Sequence, residues 1–154
     1  MDFEYIDTLI KNCELAKEIK PNREFVFNEL SDLENISIAI YIIEEIAGNA
    51  EETFSKLNNY KSLKERKCPK LNKASSILYV GSSTTGLKKR IKEHLGDGSK
   101  STYSLQLEHW FNGNSKITIK VYDNEISREV IQIIEDNLSH QLKPAFGKQG
   151  GNNK

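Results

Sequence analysis

The apolar run at residues 36–46 is the sequence feature that most constrains the fold of this chain. It reads Ile-Ser-Ile-Ala-Ile-Tyr-Ile-Ile-Glu-Glu-Ile, and Gly48-Asn49 follows it closely. β-Branched and aromatic side chains favour strands, and a run with little polar alternation is typical of a strand buried on both faces. The run is also far too short to span a bilayer. We therefore expect a sheet with this strand inside it.

The remaining sequence switches between helical and strand patterns. Apolar residues spaced by three and four predict helices at 3–19, 50–67, 87–95, 102–111 and 127–142. Further strands are predicted at 77–81 and 116–122, and residues 24–27 are a candidate for a short one. A chain of 154 residues without an internal repeat favours one domain. The predicted fold class is α+β, with a small three-stranded sheet flanked by helices.

Charge is balanced over the whole chain but not along it. Residues 1–55 carry 4 basic and 13 acidic side chains, whereas residues 56–100 carry 12 basic and 3 acidic ones. This asymmetry indicates a basic surface that faces a polyanion, with an acidic surface elsewhere. Charge alone equally allows two solvated helix faces, so it leaves nucleic-acid binding as one of two interpretations.

The cysteine content and the first residues indicate where the protein works. Cys13 and Cys68 are the only cysteines, which is too few for a zinc site or a disulfide framework. The acidic start, Met1-Asp2-Phe3-Glu4, lacks the apolar region of a signal peptide. We expect a cytoplasmic protein that has no contact with a membrane.

The helix predicted at 87–95 carries two candidate site residues. Leu87, Ile91 and Leu95 form its apolar stripe, and Arg90 and His94 lie one turn apart on the flank of that stripe. A guanidinium at the edge of a core can clamp a phosphate with two hydrogen bonds and stabilise charge that develops on it. The alternative is an amphipathic helix whose arginine reaches out to solvent.

The last predicted helix carries a carboxylate at the border of its apolar stripe. A helical wheel puts Glu135 beside Ile131 and Leu138, and puts Asp136 on the solvent side. A carboxylate at a core border pairs with a cation or binds a metal ion. Mg²⁺ suits one or two carboxylates with phosphate oxygens and water. Periodicity therefore selects Glu135, but it leaves both a salt bridge and a metal ligand open.

Two tyrosines in neighbouring predicted strands complete the candidates. Tyr41 and Tyr79 are of a type that is most often found in a core, and a buried hydroxyl still needs a partner. His109 and His140 have no ligand spacing and are expected to be structural or exposed. No nucleotide-binding pattern of the Gly-x-x-x-x-Gly-Lys-Ser/Thr type is present.

Taken in order, these pieces resemble the GIY-YIG nuclease family across residues 36–147. The pieces are Ala39-Ile40-Tyr41, Tyr79-Val80-Gly81, Arg90 with His94, Glu135, and Lys143-Pro144. The resemblance implies a GIY-YIG-like domain at 36–147 with a basic helical insert at about 49–75. An N-terminal helical extension at 1–35 and a flexible tail at 148–154 would flank it.

The resemblance also implies roles for the site residues. Glu135 would bind one divalent ion, Mg²⁺ or Mn²⁺, and Arg90 would contact the scissile phosphate. Tyr41, Tyr79 and His94 would share the activation and positioning of the attacking water. The sequence departs from the family in having Ala39 in place of Gly and no Asn shortly after Lys143-Pro144. Lys148, Gln149 and Asn152 are candidates to replace that Asn.

The expected function is a metal-dependent endonuclease that acts on DNA, of restriction, repair or mobile-element type, with a homodimer as a possible assembly. Basic side chains of the insert and its surroundings are predicted to contact the phosphate backbone: Lys61, Lys64, Arg66, Lys67, Lys88, Lys89 and Lys148. One alternative is a nucleic-acid-binding module whose catalytic set has decayed. Another is an interaction domain whose acidic first third docks a basic partner.

Overall fold

The computed structural model describes residues 1–148 and contains four helices and four strands. The elements are α1 (Glu4–Glu18), β1 (Arg23–Val26), β2 (Ala39–Ile46), α2 (Ala50–Ser62), β3 (Ile77–Ser83), α3 (Leu87–Leu95), β4 (Asn114–Val121) and α4 (Arg128–Leu142). Short 3₁₀ turns lie at Leu30–Leu33 and Leu107–His109. The predicted α+β class is confirmed. None of these helices has the length and apolar content that crossing a membrane requires.

The sheet has four strands, so the predicted three-stranded sheet is wrong by one. Its order is β1-β4-β2-β3, and all neighbours are antiparallel. The additional strand, β1, pairs with β4 from Arg23 opposite Val121 to Val26 opposite Thr118. It is short and mostly exposed, so its sequence carries little of the apolar signal that marks an inner strand.

The apolar run at 36–46 forms β2, which lies between β4 and β3 as expected for an inner strand. Ala39, Tyr41 and Ile43 point into one core, and Ile38 and Ile40 point into a second core on the opposite face. This alternation follows from the period of two along a strand. The first core also contains residues of α2 and α3, and the second contains residues of α4. The sheet is thus covered on both faces.

Helix α4 begins and ends at recognisable signals. Ser127 caps its N-terminus by accepting a hydrogen bond from the Val130 N–H, as its sequence position predicts. Lys143 ends it in the left-handed conformation, and Pro144 follows. Helix α1 forms close to the predicted residues 3–19, and it packs against α4. It has no buried residue, and large apolar side chains stay exposed on it or at its N-cap: Phe3, Tyr5, Ile6, Leu9, Ile10 and Leu15.

Two predicted helices differ from the observed structure. The helix expected at 50–67 ends at Ser62, and Leu63, which an apolar stripe of such a helix would bury, is 62% exposed. The helix expected at 102–111 is wrong, because only Leu107–His109 form a 3₁₀ turn there. Tertiary contacts override the local pattern in this segment. Leu105 and Leu107 are buried, and the Leu105 N–H bonds a side chain of α3 rather than a helical carbonyl.

Candidate active site

The core of the candidate site lies where β2 and β3 pair. Tyr41 stands opposite Gly81, and its ring stacks with that of Tyr79 at a centroid distance of 6.2 Å. A Cβ on Gly81 would lie 2.5 Å from the Tyr41 hydroxyl oxygen, closer than any real contact. The glycine of Tyr79-Val80-Gly81 is therefore required by the close approach of the phenol to the backbone.

A bulge in β3 turns Tyr79 towards the same core. The pairing passes from Ile43 opposite Tyr79 to Glu44 opposite Ile77, so Leu78 is an extra residue in β3. Leu78 and Tyr79 are neighbours in sequence, and yet both belong to the core that holds Tyr41. A bulge re-aims side chains in this way, and the sequence gives no signal for it.

Helix α3 brings His94 to the two tyrosines. Nε2 of His94 lies 2.9 Å from the hydroxyl oxygen of Tyr41, and the rings of His94 and Tyr79 lie 4.4 Å apart. The sequence placed His94 at the edge of the core; this is corrected, because the residue is fully buried. Burial, with a smaller contribution from the Arg90 cation, holds the pKa of His94 well below its usual range.

The hydrogen bonds of His94 define its tautomer. The Leu105 N–H donates to Nδ1 at 3.1 Å, so Nδ1 carries the lone pair. In a neutral ring the proton then sits on Nε2, and Nε2–H donates to the oxygen of Tyr41. Both ring nitrogens are thus occupied. Burial raises the pKa of Tyr41 strongly, and the nearby Arg90 cation opposes that rise.

Arg90 lies between the buried rings and the surface. Its Nη2 donates to the Tyr79 hydroxyl at 3.2 Å and to the Tyr103 carbonyl at 3.0 Å. Its Nη1 lies 3.3 Å from a carboxylate oxygen of Glu93, one turn along the helix. The guanidinium is therefore held at a defined angle, at the edge of the core as the helical spacing predicted.

Glu135 reaches the site from α4, on the other side of β3. It is 6% exposed, and its two oxygens accept from the Ser82 hydroxyl at 2.7 Å and the Gln132 amide at 3.1 Å. Burial raises the pKa of Glu135, although the hydrogen bonds from Ser82 and Gln132 lower it in part. Asp136 is partly buried rather than fully on the solvent side, and it accepts from the same Gln132 amide at 2.9 Å.

An open cleft of about 740 Å³ joins these elements. Arg90, Ser82 and Gln132 all line it, so the partners of Glu135 face the same space as the guanidinium. The cleft is also lined by the cations Lys89, Arg128 and Lys148 and by one carboxylate, Glu93. Such a surplus of positive charge over the one lining carboxylate suits an anionic ligand.

The donor set also suits one hard divalent ion. Among residues 1–148 no group of three or more His, Cys, Asp or Glu side chains is arranged to hold a metal. Glu135 is a carboxylate of α4 that lies directly behind the cleft wall, bonded to the lining residues Ser82 and Gln132. Mg²⁺ binds proteins through one or two carboxylates and completes its shell with phosphate oxygens and water.

The predicted nucleic-acid contacts divide between separate places. Lys89 and Lys148 line the cleft beside Arg90. Lys88 makes a 2.6 Å ion pair with Glu34 instead. The four from the insert line another cleft: Lys61, Lys64, Arg66 and Lys67. Of the three candidates to replace the family's Asn, Lys148 is therefore in the cleft, whereas Gln149 and Asn152 lie outside the described residues.

Several residues at the site were not singled out from the sequence. Ser82 follows Tyr79-Val80-Gly81 directly, but no sequence pattern marks its hydroxyl as a partner of Glu135. Gln132 precedes Glu135 by three residues, so helical spacing alone could have placed it beside the carboxylate. The backbone of Tyr103 and Leu105 could not have been found, because no local pattern shows which carbonyl or N–H a distant helix will contact.

One of three comparisons with known proteins found a match. The model of the GIY-YIG catalytic domain matches residues 70–148, a range that contains Tyr79, Arg90, His94 and Glu135. Ala39-Ile40-Tyr41 precedes the matched range, and its relation to the site rests on the pairing of Tyr41 with Gly81. No curated protein and no solved structure matches the chain significantly. The chain belongs to the GIY-YIG family of nuclease domains.

Proposed function

We propose that this protein is a metal-dependent endonuclease that hydrolyses phosphodiester bonds of DNA. Membership of the family implies a nuclease of the GIY-YIG type. One observation carries the proposal. Arg90 lines the same cleft as Ser82 and Gln132, the two residues that bond the carboxylate of Glu135. Hydrolysis of a phosphodiester needs an activated water, neutralisation of charge and a stabilised leaving group. Arg90 lines this cleft, and the residues proposed for the other two tasks, Tyr41 and Glu135, are buried beside it.

Arg90 is the proposed contact to the scissile phosphate. The Tyr79 hydroxyl and the Tyr103 carbonyl fix one of its terminal nitrogens, so its guanidinium is oriented before substrate binds. A preoriented cation stabilises charge that develops on phosphoryl oxygens without reorganisation during the reaction. Lys89 and Lys148 add positive charge around the same space.

Tyr41 is the proposed partner of the attacking water, and His94 is its positioning residue. Because Nε2–H of His94 donates to the Tyr41 oxygen, it favours negative charge on that oxygen. His94 cannot accept a proton at Nδ1 while the Leu105 N–H occupies it. Of Tyr41 and His94, Tyr41 is therefore favoured as the general base. Its raised pKa must be lowered by cations in the cleft, of which Arg90 is one.

Glu135 is the proposed ligand of one divalent ion, Mg²⁺ or Mn²⁺. Such an ion, when bound, supplies charge neutralisation and stabilisation of the leaving oxygen. The Ser82 hydroxyl and the Gln132 amide hold the two carboxylate oxygens in place. A nearby cation also removes the cost of a buried unpaired charge, which is the cause of the raised pKa at Glu135.

The alternative function is a nucleic-acid-binding module whose catalytic set has decayed. Departures at Ala39 and after Pro144 motivate it. A decayed module would bind DNA with strong salt dependence and would not cut it. A pure interaction domain, with its acidic first third on a basic partner, would have no affinity for DNA.

A cleavage assay distinguishes these functions. The purified protein is mixed with supercoiled plasmid and with single-stranded DNA, with Mg²⁺, Mn²⁺ or EDTA. We expect metal-dependent cutting that Glu135→Ala abolishes and that Glu129→Ala, an exposed carboxylate on the same helix, retains. Equal cutting by Glu135→Ala would overturn the site assignment, and binding without cutting would support the decayed module.

The products of that assay also address target type and assembly. Discrete bands would indicate a restriction-type specificity, and a smear would favour a repair or mobile-element nuclease with little sequence preference. One site hydrolyses one strand, so concerted cutting of both strands favours the proposed homodimer. Sedimentation equilibrium of the protein with and without DNA measures its mass directly.

A further inference from the structure

A second cleft, here called the basic cleft, lies at the C-terminal end of α2 and has a volume of about 590 Å³. Five cations line it together with one aromatic ring: Lys61, Lys64, Arg66, Lys67, Lys100 and Tyr103. Glu65 is the one carboxylate in its lining. It shares no lining residue with the cleft at Arg90.

The positive charge of the basic cleft is not neutralised within the described part of the chain. No carboxylate of residues 1–148 forms an ion pair with any of the five cations. Lys61 donates to the Pro69 carbonyl at 2.8 Å, and the Lys67 ammonium lies 5.8 Å from the centroid of the Tyr103 ring. Like charges gathered in a concave surface repel each other and attract a polyanion. The chemistry of the cleft thus favours phosphates over a neutral ligand.

One loop connects the basic cleft to helix α3. Arg90 donates to the Tyr103 carbonyl, the Ser104 hydroxyl donates to the Glu93 carbonyl at 2.9 Å, and the Leu105 N–H donates to His94. Three consecutive loop residues therefore hold three positions of α3. The Tyr103 ring lines the basic cleft while its carbonyl holds Arg90, so this residue separates the two clefts.

Gln106 fixes the other end of the loop to the insert. It is buried and adopts the left-handed conformation, with φ of 54°. Its side-chain oxygen accepts from Arg66 at 3.1 Å, and its amide donates to the Thr102 carbonyl at 3.2 Å. The Lys67 N–H donates to the Lys100 carbonyl at 2.8 Å. Insert, loop and α3 thus form one connected unit, and a strand bound in one cleft keeps a fixed position relative to the other.

We propose that the basic cleft is a distal phosphate-binding subsite for the same DNA strand whose scissile phosphate lies at Arg90. The inference rests on the proposed function and specifies its substrate: a strand long enough to pass Tyr103 and occupy both clefts. A groove that combines cations with an aromatic side chain is the usual way to hold a flexible strand. The affinity should therefore rise with strand length.

The test compares fluorescent single strands of 4 and 20 nucleotides by anisotropy in EDTA, so that binding is read without cleavage. The variant is Lys64→Glu with Lys100→Glu, because both lysines are exposed. It should bind the long strand at least about tenfold more weakly, with a salt slope smaller by about 1.4 units for two lost contacts. Its affinity for the short strand should fall by a smaller factor, because that strand can still bind in the cleft at Arg90.

The matched control is Lys17→Glu with Lys20→Glu. It makes the same change in net charge at exposed positions that are distant in sequence from the residues of the basic cleft. It should keep the affinity for both strands. Equal loss in variant and control, or no loss of long-strand affinity in the variant, would overturn the subsite. Absence of wild-type binding to either strand would also overturn it. Failure of the proposed function is separate, because it shows as wild-type protein that binds DNA with Mg²⁺ and does not cut it.

Discussion

The hydroxyl oxygen of Tyr41 lies 2.9 Å from Nε2 of His94, although the two residues are 53 positions apart in sequence. The contact is buried and joins the inner strand β2 to helix α3. Both rings also belong to the packed core, so a test of the contact must separate chemistry from folding.

Tyr41→Phe makes that separation. The phenylalanine ring keeps the stacking with Tyr79, and the variant loses only the hydroxyl. We expect a folded protein whose free energy of unfolding falls by about 1–3 kcal/mol, because Nε2–H of His94 loses its acceptor. Single-turnover cleavage should slow by ~10²-fold or more, as expected for loss of a residue that assists proton transfer. Wild-type cleavage by this variant would exclude Tyr41 from the chemistry.

Gly81→Ala tests the close approach of Tyr41 to the backbone. The new Cβ would meet the Tyr41 hydroxyl at 2.5 Å, so the ring or the strand must move. We expect a loss of about 1–3 kcal/mol of stability from overpacking, together with reduced cleavage. Gly86→Ala is the control for stability, since its Cβ would come no nearer than 3.9 Å to another atom. Urea unfolding of both variants measures the difference, and similar losses would contradict the steric argument.

His94 should remain neutral throughout the physiological range. Its folded-state pKa lies well below the ordinary 6.5, so the unfolded chain binds the proton more tightly. The stability that this residue contributes is present above about pH 6.5 and is lost as the pH falls below that value. Nitrogen-15 NMR should show a bare Nδ1 and a protonated Nε2 at pH 7. A protonated Nδ1 would reverse this hydrogen bond, because Nε2 would then accept from the Tyr41 hydroxyl, and would overturn the proposed role of His94.

Glu135→Gln should keep or raise the stability of the protein and abolish metal binding. The folded-state pKa of Glu135 lies above the ordinary 4.5, so its stabilising contribution is complete below that value and declines as the pH rises through the folded pKa. At pH 7 the Gln variant should therefore be at least as stable as the wild type. Addition of Mg²⁺ should raise the melting temperature of the wild type but not that of the variant, and EDTA should reverse the rise. An equal gain in the variant would place the ion elsewhere.

Arg90→Lys tests whether orientation of the charge matters. Lysine keeps the positive charge. It lacks the planar guanidinium that contacts the Tyr79 hydroxyl, the Tyr103 carbonyl and Glu93 at the same time. We expect DNA affinity in EDTA to change little and the single-turnover rate to fall by about 10²–10³-fold. A wild-type rate would show that a point charge is sufficient at this position.

The sequence predicted those parts of the site that depend on local periodicity. Spacing by four on α3 placed Arg90 at the edge of the core, and the apolar stripe of α4 selected Glu135 over Asp136. Both helices lie at the predicted positions, and the inner strand β2 follows from its apolar run.

The parts that failed depend on contacts between distant segments. The segment at 102–111 has the composition of a helix, but its N–H and carbonyl groups bond α3 instead. His94 is buried because Leu105 and Tyr41 satisfy both of its nitrogens, and no local pattern reports such partners. Strand β1 was only a candidate because an exposed edge strand carries little apolar signal.

The burial of Tyr41 and His94 bears on how the proposed activity could be lost over time. Their rings rank among the largest fully buried side chains, so selection for folding alone would preserve them in a lineage that no longer cuts DNA. Packing does not require the charge of Glu135, and a buried carboxylate lowers stability unless it has a ligand. If Glu135 holds the ion as proposed, inactive descendants should replace Glu135 first, and its carboxylate would mark cleavage activity better than the tyrosine and glycine motifs that name the family.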